Sequence, residues 1–183
     1  MEVETKFKTD DLEGLKKKLV KMGAKFSSPV SQVDDYYRFK GGELDPQGPG
    51  SVLIRIRRQG SKAFLTTKEL TSRAGVWVEH ESEIADPAET EEMLKQLGLA
   101  KVFSITKARA CGKLGEYGLC LDRIKELGDY LEVEVISGDA EGAKKKIMSL
   151  MGKLGIAEKD VEHRGYAAII FQGMGVKYER GSG

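Results

Sequence analysis

Glu2-Val3-Glu4-Thr5-Lys6-Phe7-Lys8 alternates strictly between charged residues and residues that can pack. At the two-residue period of a β-strand, Glu2, Glu4, Lys6 and Lys8 share one face, and Val3, Thr5 and Phe7 share the other. A segment so near a chain start is ordinarily frayed and solvated. Here it has a packing face of its own, beside a face made only of charge. Later strands repeat the pattern with complementary signs, which predicts that the charged faces meet one another.

The 183 residues suffice for one domain that buries most of its apolar surface. Charged residues make up 32% of the chain, yet the net charge is only +1. That balance argues against a nucleic-acid partner, which normally meets a basic excess, and against disorder. No apolar run approaches the roughly 18–20 residues needed to span a bilayer, and the acidic start has no signal-peptide core. A soluble, cytoplasmic protein with no membrane partner is expected. Cys111 and Cys120 could face each other across a hairpin, but we read them as two buried thiols in a reducing compartment. His80 and His163 stand alone, without zinc spacing, and read as surface or packing residues.

Thr9-Asp10-Asp11 supplies a helix N-cap. Leu12, Leu15, Leu19 and Met22 follow at helical spacing, Gly23 supplies the stop, and Lys16, Lys17, Lys18 and Lys21 form the solvated side. Residues 32–39 read as a strand with Asp34, Tyr36 and Arg38 on one face. The stretch 41–50, with four glycines and two prolines, is a loop; no helix opens after it, so it does not bind phosphate in the Gly-rich manner. In 52–58, Val52, Ile54 and Ile56 make an apolar face, and Leu53, Arg55 and Arg57 make the other. Gly60-Ser61 is a two-residue hairpin turn that pairs Gln59 with Lys62. It sets Arg57, Arg55 and Leu53 opposite Phe64, Thr66 and Lys68, so Arg55, Arg57 and Lys68 share a face. Like charges grouped in this way are destabilising unless an anion or carboxylates sit among them.

Residues 76–84 place Glu79, Glu81 and Glu83 on one strand face, against Val78, His80 and Ile84. Asp86-Pro87 starts a second helix, which runs through Met93, Leu94 and Leu97 to Gly98. A strand at 102–109 ends in Lys107 and Arg109, and a turn around Gly115 sets Asp122, on a strand at 117–124, beside Arg109. From Asp129 to Ile136, Tyr130, Glu132 and Glu134 share one face. Asp139 caps a third helix with the stripe Ile147, Leu150, Met151 and Leu154, ended by Gly155. A short segment from Asp160 to Phe171 holds Arg164 and Tyr166, and residues 173–183 read as a flexible tail. Glu-x-Glu strands at 2–4, 81–83 and 132–134 each run into a helix ended by glycine, a weak internal repeat.

About eight strands joined by mostly short loops predict an α+β fold over residues 1–172. The expected form is a single domain, an antiparallel sheet curled into a closed or nearly closed barrel with three helices outside. Its interior then receives Glu2, Glu4, Lys6, Arg55, Arg57, Lys68, Glu81, Glu83, Lys107, Arg109, Asp122, Glu132 and Glu134. An ordinary sheet with one solvated charged face is the alternative for any one strand. Across six or seven strands, function explains the cost of enclosing such charge better. Clustered carboxylates bind a hard divalent cation, and arginines and lysines bind phosphates.

This ordered series resembles the CYTH family of triphosphate tunnel enzymes. The similarity rests on Glu2-Val3-Glu4-Thr5-Lys6, Asp34-Asp35-Tyr36-Tyr37, Arg55-Ile56-Arg57, Lys68, Glu81-Ser82-Glu83, Lys107-Ala108-Arg109, Asp122 and Glu132-Val133-Glu134, over about residues 1–171. The resemblance implies an eight-stranded tunnel that binds triphosphate with Mg²⁺ or Mn²⁺. It implies Glu2, Glu4, Glu134 and, less directly, Glu132 as metal ligands, and Lys6, Arg55, Arg57, Lys68 and Arg109 as phosphate ligands. Lys107 with Tyr36 resembles the dyad that activates water in tunnel triphosphatases, with Glu81, Glu83 and Asp122 as supporting residues. The implied activity is that of a class IV adenylyl cyclase, making cyclic AMP and pyrophosphate from ATP. A triphosphatase acting on thiamine triphosphate, inorganic tripolyphosphate or a nucleoside triphosphate is the alternative; a non-catalytic polyphosphate-binding module is the reading of another class. The expected partner is a small-molecule triphosphate, with the chain acting as monomer or homodimer.

Overall fold

The structure, a computed structural model, describes residues 2–71, 77–162 and 164–177, apart from the side chains of Glu2, Trp77 and Glu158. It is an α+β fold built on antiparallel strand pairs, with four helices among the described residues. The chain divides into two compact units: Met1–Val30 with Lys107–Arg164, and Ser31–Thr106 with Gly165–Gly183.

In the first unit, strand β1 (Glu2–Thr9) leads into helix α1 (Leu12–Lys21) and the two-residue strand β2 (Lys25–Phe26). Asp11 caps α1 by accepting from the Gly14 amide at 2.8 Å, and Gly23 turns the chain away at φ +103°. Strand β1 pairs antiparallel with β9 (Gly128–Ile136), which pairs with β8 (Tyr117–Ile124), which pairs with the second half of β7 (Leu99–Leu114). Helix α3 (Ala140–Leu154) follows β9, and a 3-10 turn (Glu158–Asp160) delivers the short strand β10 (Val161–Glu162) to the free side of β1. The odd-numbered residues of β1, β8 and β9 form one sheet face, where Phe7, Leu119, Leu121, Leu131, Val133 and Val135 pack against α1 and α3. Ile147, Leu150, Met151 and Leu154 of α3 are all buried there, each worth roughly 1.5–3 kcal/mol on removal from water. Covering that face leaves the even-numbered, charged residues together on the opposite one.

In the second unit the order is the first half of β7, then β3 (Val30–Phe39), β4 (Val52–Gln59), β5 (Lys62–Leu70) and β6 (Trp77–Ile84). The Gly60-Ser61 turn gives the register expected of it: Gln59 faces Lys62, Arg57 faces Phe64 and Arg55 faces Thr66. Helix α2 (Pro87–Gln96), capped by Asp86, covers Tyr37, Ile56 and Leu99 with Leu94. Met93 and Leu97, which the sequence places on α2 with Leu94, are 54% and 68% exposed, and Leu94 is the residue this ten-residue helix buries. Helix α4 (Tyr166–Gly173), a fourth where three were expected, is formed by the apolar run after Gly165. Its Phe171 meets Phe103 edge-to-face at 4.8 Å.

Three further expectations change. The strand path ends on β10 and on β6, with no pairing of these two among the described residues, so closure into a barrel is not shown. Cys111 and Cys120 form a disulfide rather than two thiols, because the β7–β8 register sets them directly opposite each other. Of the expected tail, residues 173–177 are anchored: the Val176 amide donates to the Phe171 carbonyl, Lys177 accepts from Gln47, and Val176 is buried. Residues 178–183 and His163 lie outside the described residues, and His80 is exposed.

Candidate functional site

The charged face of the first unit is a grid set by strand register. One row across β7, β8, β9 and β1 reads Arg109, Asp122, Tyr130, Lys8; the next reads Cys111, Cys120, Glu132, Lys6. The third reads Lys113, Gly118, Glu134, Glu4. Cross-strand partners project to the same side, so these side chains meet. Arg109 donates to Asp122 through Nε at 2.6 Å and through Nη2, and reaches Glu132 at 3.1 Å. Lys6 Nζ donates to Glu4 Oε1 at 2.6 Å and lies 3.5 Å from Glu132. Lys6, Lys107, Asp122 and Glu132 are all buried.

Charges this deep are tolerated only because each sign meets the other. Burial alone would raise the Glu132 carboxyl; Arg109, Lys6 and Lys107 outweigh it and hold the group well below the usual carboxylate range. Burial would likewise lower Lys6, but Glu132 and Glu4 overcome it and the ammonium is raised above its ordinary value. Tyr130 is raised by burial and by Glu162, against the opposing pull of Arg164.

The carboxylates of Glu4 and Glu134 occupy directly opposed positions on β1 and β9, and only Glu4 has a cationic partner. Glu134 accepts no hydrogen bond and joins no ion pair among the described residues. Its side chain folds over Gly118, where a Cβ would overlap the carboxylate. Opposed carboxylates with one left unpaired are the oxygen donors a hard divalent cation takes. No three His, Cys, Asp or Glu side chains among the described residues form a metal-binding group by themselves. Glu2 falls on the same face of β1 as Glu4, and its side chain lies outside the described residues. The donor chemistry of Glu4 and Glu134 therefore fits a hard divalent cation.

The charged face of the second unit is equally paired. Arg57 grips Asp34 with two hydrogen bonds of 2.7 Å. Arg55 Nη2 donates to Thr66 Oγ1 at 3.0 Å and Glu81 at 3.1 Å, and lies 3.6 Å from Glu79. Lys68 pairs with Glu79 at 2.6 Å. Tyr36, opposite Arg55 and buried, stacks at 4.9 Å on Phe103. Burial first and Asp34 second raise its phenol, although Arg55 and Arg57 oppose them. Arg55, Arg57 and Lys68 thus share a face, and carboxylates sit among them. Glu83 stands apart, 53% exposed and paired with Lys62 at 3.0 Å.

Asp34, Thr66 and Glu79 belong to this array, yet the sequence reading gave none of them a role at the site. The β4–β5 hairpin already placed Thr66 opposite Arg55, and the alternation of β6 already placed Glu79 beside Glu81. Lys107 and Tyr36 belong to different units, each buried in its own charged face. Chemically, the face of the first unit carries the cations Lys6 and Arg109 and the opposed carboxylates of Glu4 and Glu134, and the face of the second carries Arg55, Arg57 and Lys68; such cations suit phosphate oxygens and such carboxylates a metal.

A family model of the CYTH domain matches residues 1–166. A curated relative from Methanocaldococcus jannaschii, named "Putative adenylate cyclase MJ0240", is 29% identical over 171 residues, covering 91% of this chain and 96% of its own. The PH1012 protein of Pyrococcus horikoshii OT3 has a similar structure, with a TM-score of 0.80 at 32% identity, over 92% of this chain and 98% of that one. A Hippeastrum protein, described as a "putative adenylyl cyclase" with dominant triphosphatase activity, shares the fold at TM-score 0.69 and 17% identity, over 94% of this chain and 95% of that one.

Proposed function

The chain belongs to the CYTH family, and from that premise we propose that it is a divalent-metal-dependent enzyme that converts ATP to cyclic AMP and pyrophosphate. The observation that carries the reading is the opposed pair Glu4 and Glu134 on the same face as the buried Lys6 and the half-buried Arg109, which Glu132 joins. Glu2, Glu4 and Glu134, with Glu132 behind them, hold Mg²⁺ or Mn²⁺. When bound, the cation supplies charge neutralisation on phosphoryl oxygens. Lys6, Arg55, Arg57, Lys68 and Arg109 bind the phosphates, exchanging part of their carboxylate pairing for phosphate oxygens. Asp122 and Glu81 aim Arg109 and Arg55; Glu83, at an exposed ion pair, contributes little. With its carboxyl held so low, Glu132 stays ionised and fixes Lys6 and Arg109 rather than moving a proton. In the cyclase reaction the ribose 3′-oxygen attacks the α-phosphorus, loses its proton and expels pyrophosphate.

Hydrolysis of the terminal phosphate by water is the second reading, favoured by the burial of Lys107 on the same strand face as Arg109. Lys107 with Tyr36 is the pair assigned to water in that case. A raised phenol keeps Tyr36 protonated near neutrality, so it orients the water by donating rather than by accepting a proton. The described helices include none long and apolar enough to cross a membrane, and we place the enzyme in the cytoplasm.

Incubation with Mg²⁺ or Mn²⁺ and, separately, ATP, thiamine triphosphate and inorganic tripolyphosphate tests the reading by its products. Cyclic AMP plus pyrophosphate is the expected result. Orthophosphate without cyclic AMP would replace the cyclase with a triphosphatase. Binding of tripolyphosphate with no turnover of any substrate would reduce the protein to a polyphosphate-binding module.

A further inference from the structure

The Cys111–Cys120 disulfide lies inside the charged grid rather than among the apolar residues. Cys111 follows Arg109 by two residues on β7, and Cys120 precedes Asp122 by two on β8, so both sulfurs share the face of the Arg109–Asp122 pair. On its other side Cys120 is the direct cross-strand partner of Glu132, which in turn faces Lys6. One row thus runs from the disulfide through Glu132 to Lys6, flanked by Arg109 and Asp122 on one side and by Gly118, Glu134 and Glu4 on the other. Both cysteines are half-buried, within reach of a small reductant.

We infer that this disulfide is a redox-operated positioning element of the phosphate and metal site, an inference that rests on the function proposed above. The bonded pair clamps β7 to β8 beside Glu132, the residue that holds both Lys6 and Arg109. A dithiol reductant opens it by thiolate attack on one sulfur: the Cys111–Cys120 bond breaks, two electrons pass to the protein sulfurs, and each takes up a proton while the reductant becomes a disulfide. Two unbonded sulfurs must then stand at van der Waals separation, and each is a weak S–H donor next to an ionised carboxylate. Spreading of this row and competition for Glu132 loosen Lys6 and Arg109 together. The oxidised protein is therefore the preorganised form, and reduction weakens triphosphate binding reversibly.

The test is calorimetric titration of the full-length protein with inorganic tripolyphosphate and Mg²⁺, oxidised and after dithiothreitol. Alkylation and mass measurement count the thiols, and melting curves set the temperature well below unfolding in both states. The oxidised form is expected to bind roughly tenfold more tightly, the scale of one displaced charged contact. Reoxidation restores that affinity. The C111S/C120S variant is expected to match the reduced protein and ignore the reductant; reduced wild type carries the comparison if that variant does not fold. Equal affinities in both states, with only the melting temperature lowered on reduction, would make the disulfide a simple staple and overturn the inference. A bond that dithiothreitol leaves intact would overturn the switch. Absence of tripolyphosphate binding in either state would instead overturn the functional reading, and this inference with it.

Discussion

Glu4 on β1 and Glu134 on β9 are direct cross-strand partners, two carboxylates on one face of one sheet. Like charges so placed destabilise a sheet. Lys6 offsets only the Glu4 side, at 2.6 Å. The pair is the strongest sign of a cation site because nothing else among the described residues of the first unit explains it. Glu134→Gln should therefore leave the metal-free protein as stable as wild type or slightly more so, by up to about 1 kcal/mol, while abolishing Mg²⁺-dependent turnover. Glu4→Gln should abolish turnover too, but without the gain, because Lys6 loses its closest partner. Thermal melts with and without Mg²⁺ check both; turnover retained in Glu134→Gln would remove that residue from the metal site.

Gly118 should matter for the same reason. Its missing side chain is the space into which Glu134 folds, and an added Cβ would collide with that side chain from Cγ to the carboxylate rather than with backbone. Gly118→Ala should thus cost little stability, under about 1 kcal/mol, yet raise the Mg²⁺ concentration needed for half-maximal activity several-fold. A metal requirement unchanged from wild type would show that the position of Glu134 over Gly118 is irrelevant to the cation.

The hairpins were legible in the sequence because short turns fix register. Gly60-Ser61 determined every β4–β5 pair, and the turn at Gly115 put Asp122 beside Arg109. The pairing of β1 with β9 joins residues 120 or more apart in the chain, and no turn chemistry encodes it. Alternation could therefore say that Glu4 and Glu134 share a charged face, but not that they are opposite each other. Asp34 was visible on its strand, but the ten-residue loop after it hides the register that gives it Arg57. The cysteines were placed correctly and misread chemically: sequence supplies their alignment, whereas reduced thiols were inferred from an assumed compartment. Met93 and Leu97 show the limit of helical periodicity, which marks an apolar stripe without showing how much of it a neighbour covers.

Arg57 carries two roles that one substitution would confuse. Its guanidinium neutralises Asp34, which is 1% exposed, through two hydrogen bonds. Arg57→Ala should remove the closest counter-charge of that carboxylate, leaving Arg55 at 3.9 Å as a weaker one, and cost about 3 kcal/mol in urea unfolding. Combining it with Asp34→Asn should recover more than half of the loss, since the buried charge disappears with its partner. Both variants should bind tripolyphosphate more weakly at unchanged Mg²⁺ affinity. Wild-type tripolyphosphate affinity in the double variant would leave Arg57 a purely structural residue.

Glu132 sets the acid limit of the fold. Burial opposes its ionisation, but Arg109, Lys6 and Lys107 more than compensate, so its folded value lies below the ordinary 4.5. A carboxylate depressed in this way contributes stability that is complete above about pH 4.5 and lost as pH falls towards the folded value. Lys6 works in the other direction: raised above 10.5 by Glu132 and Glu4 against its own burial, it stabilises fully below that pH and progressively less as pH rises past it. Replacing Glu132 by glutamine removes the first contribution and leaves the buried Lys6 and the half-buried Arg109 each short of one partner, at a cost of about 3 kcal/mol near neutrality. Chemical denaturation at pH 6.5 and pH 3 should show wild type losing much of its advantage over Glu132→Gln as the solution becomes acidic. Two stability curves that ran parallel from pH 6.5 to pH 3 would mean that Glu132 titrates normally in the fold, and that the Lys6–Glu132–Arg109 cluster does not hold it ionised.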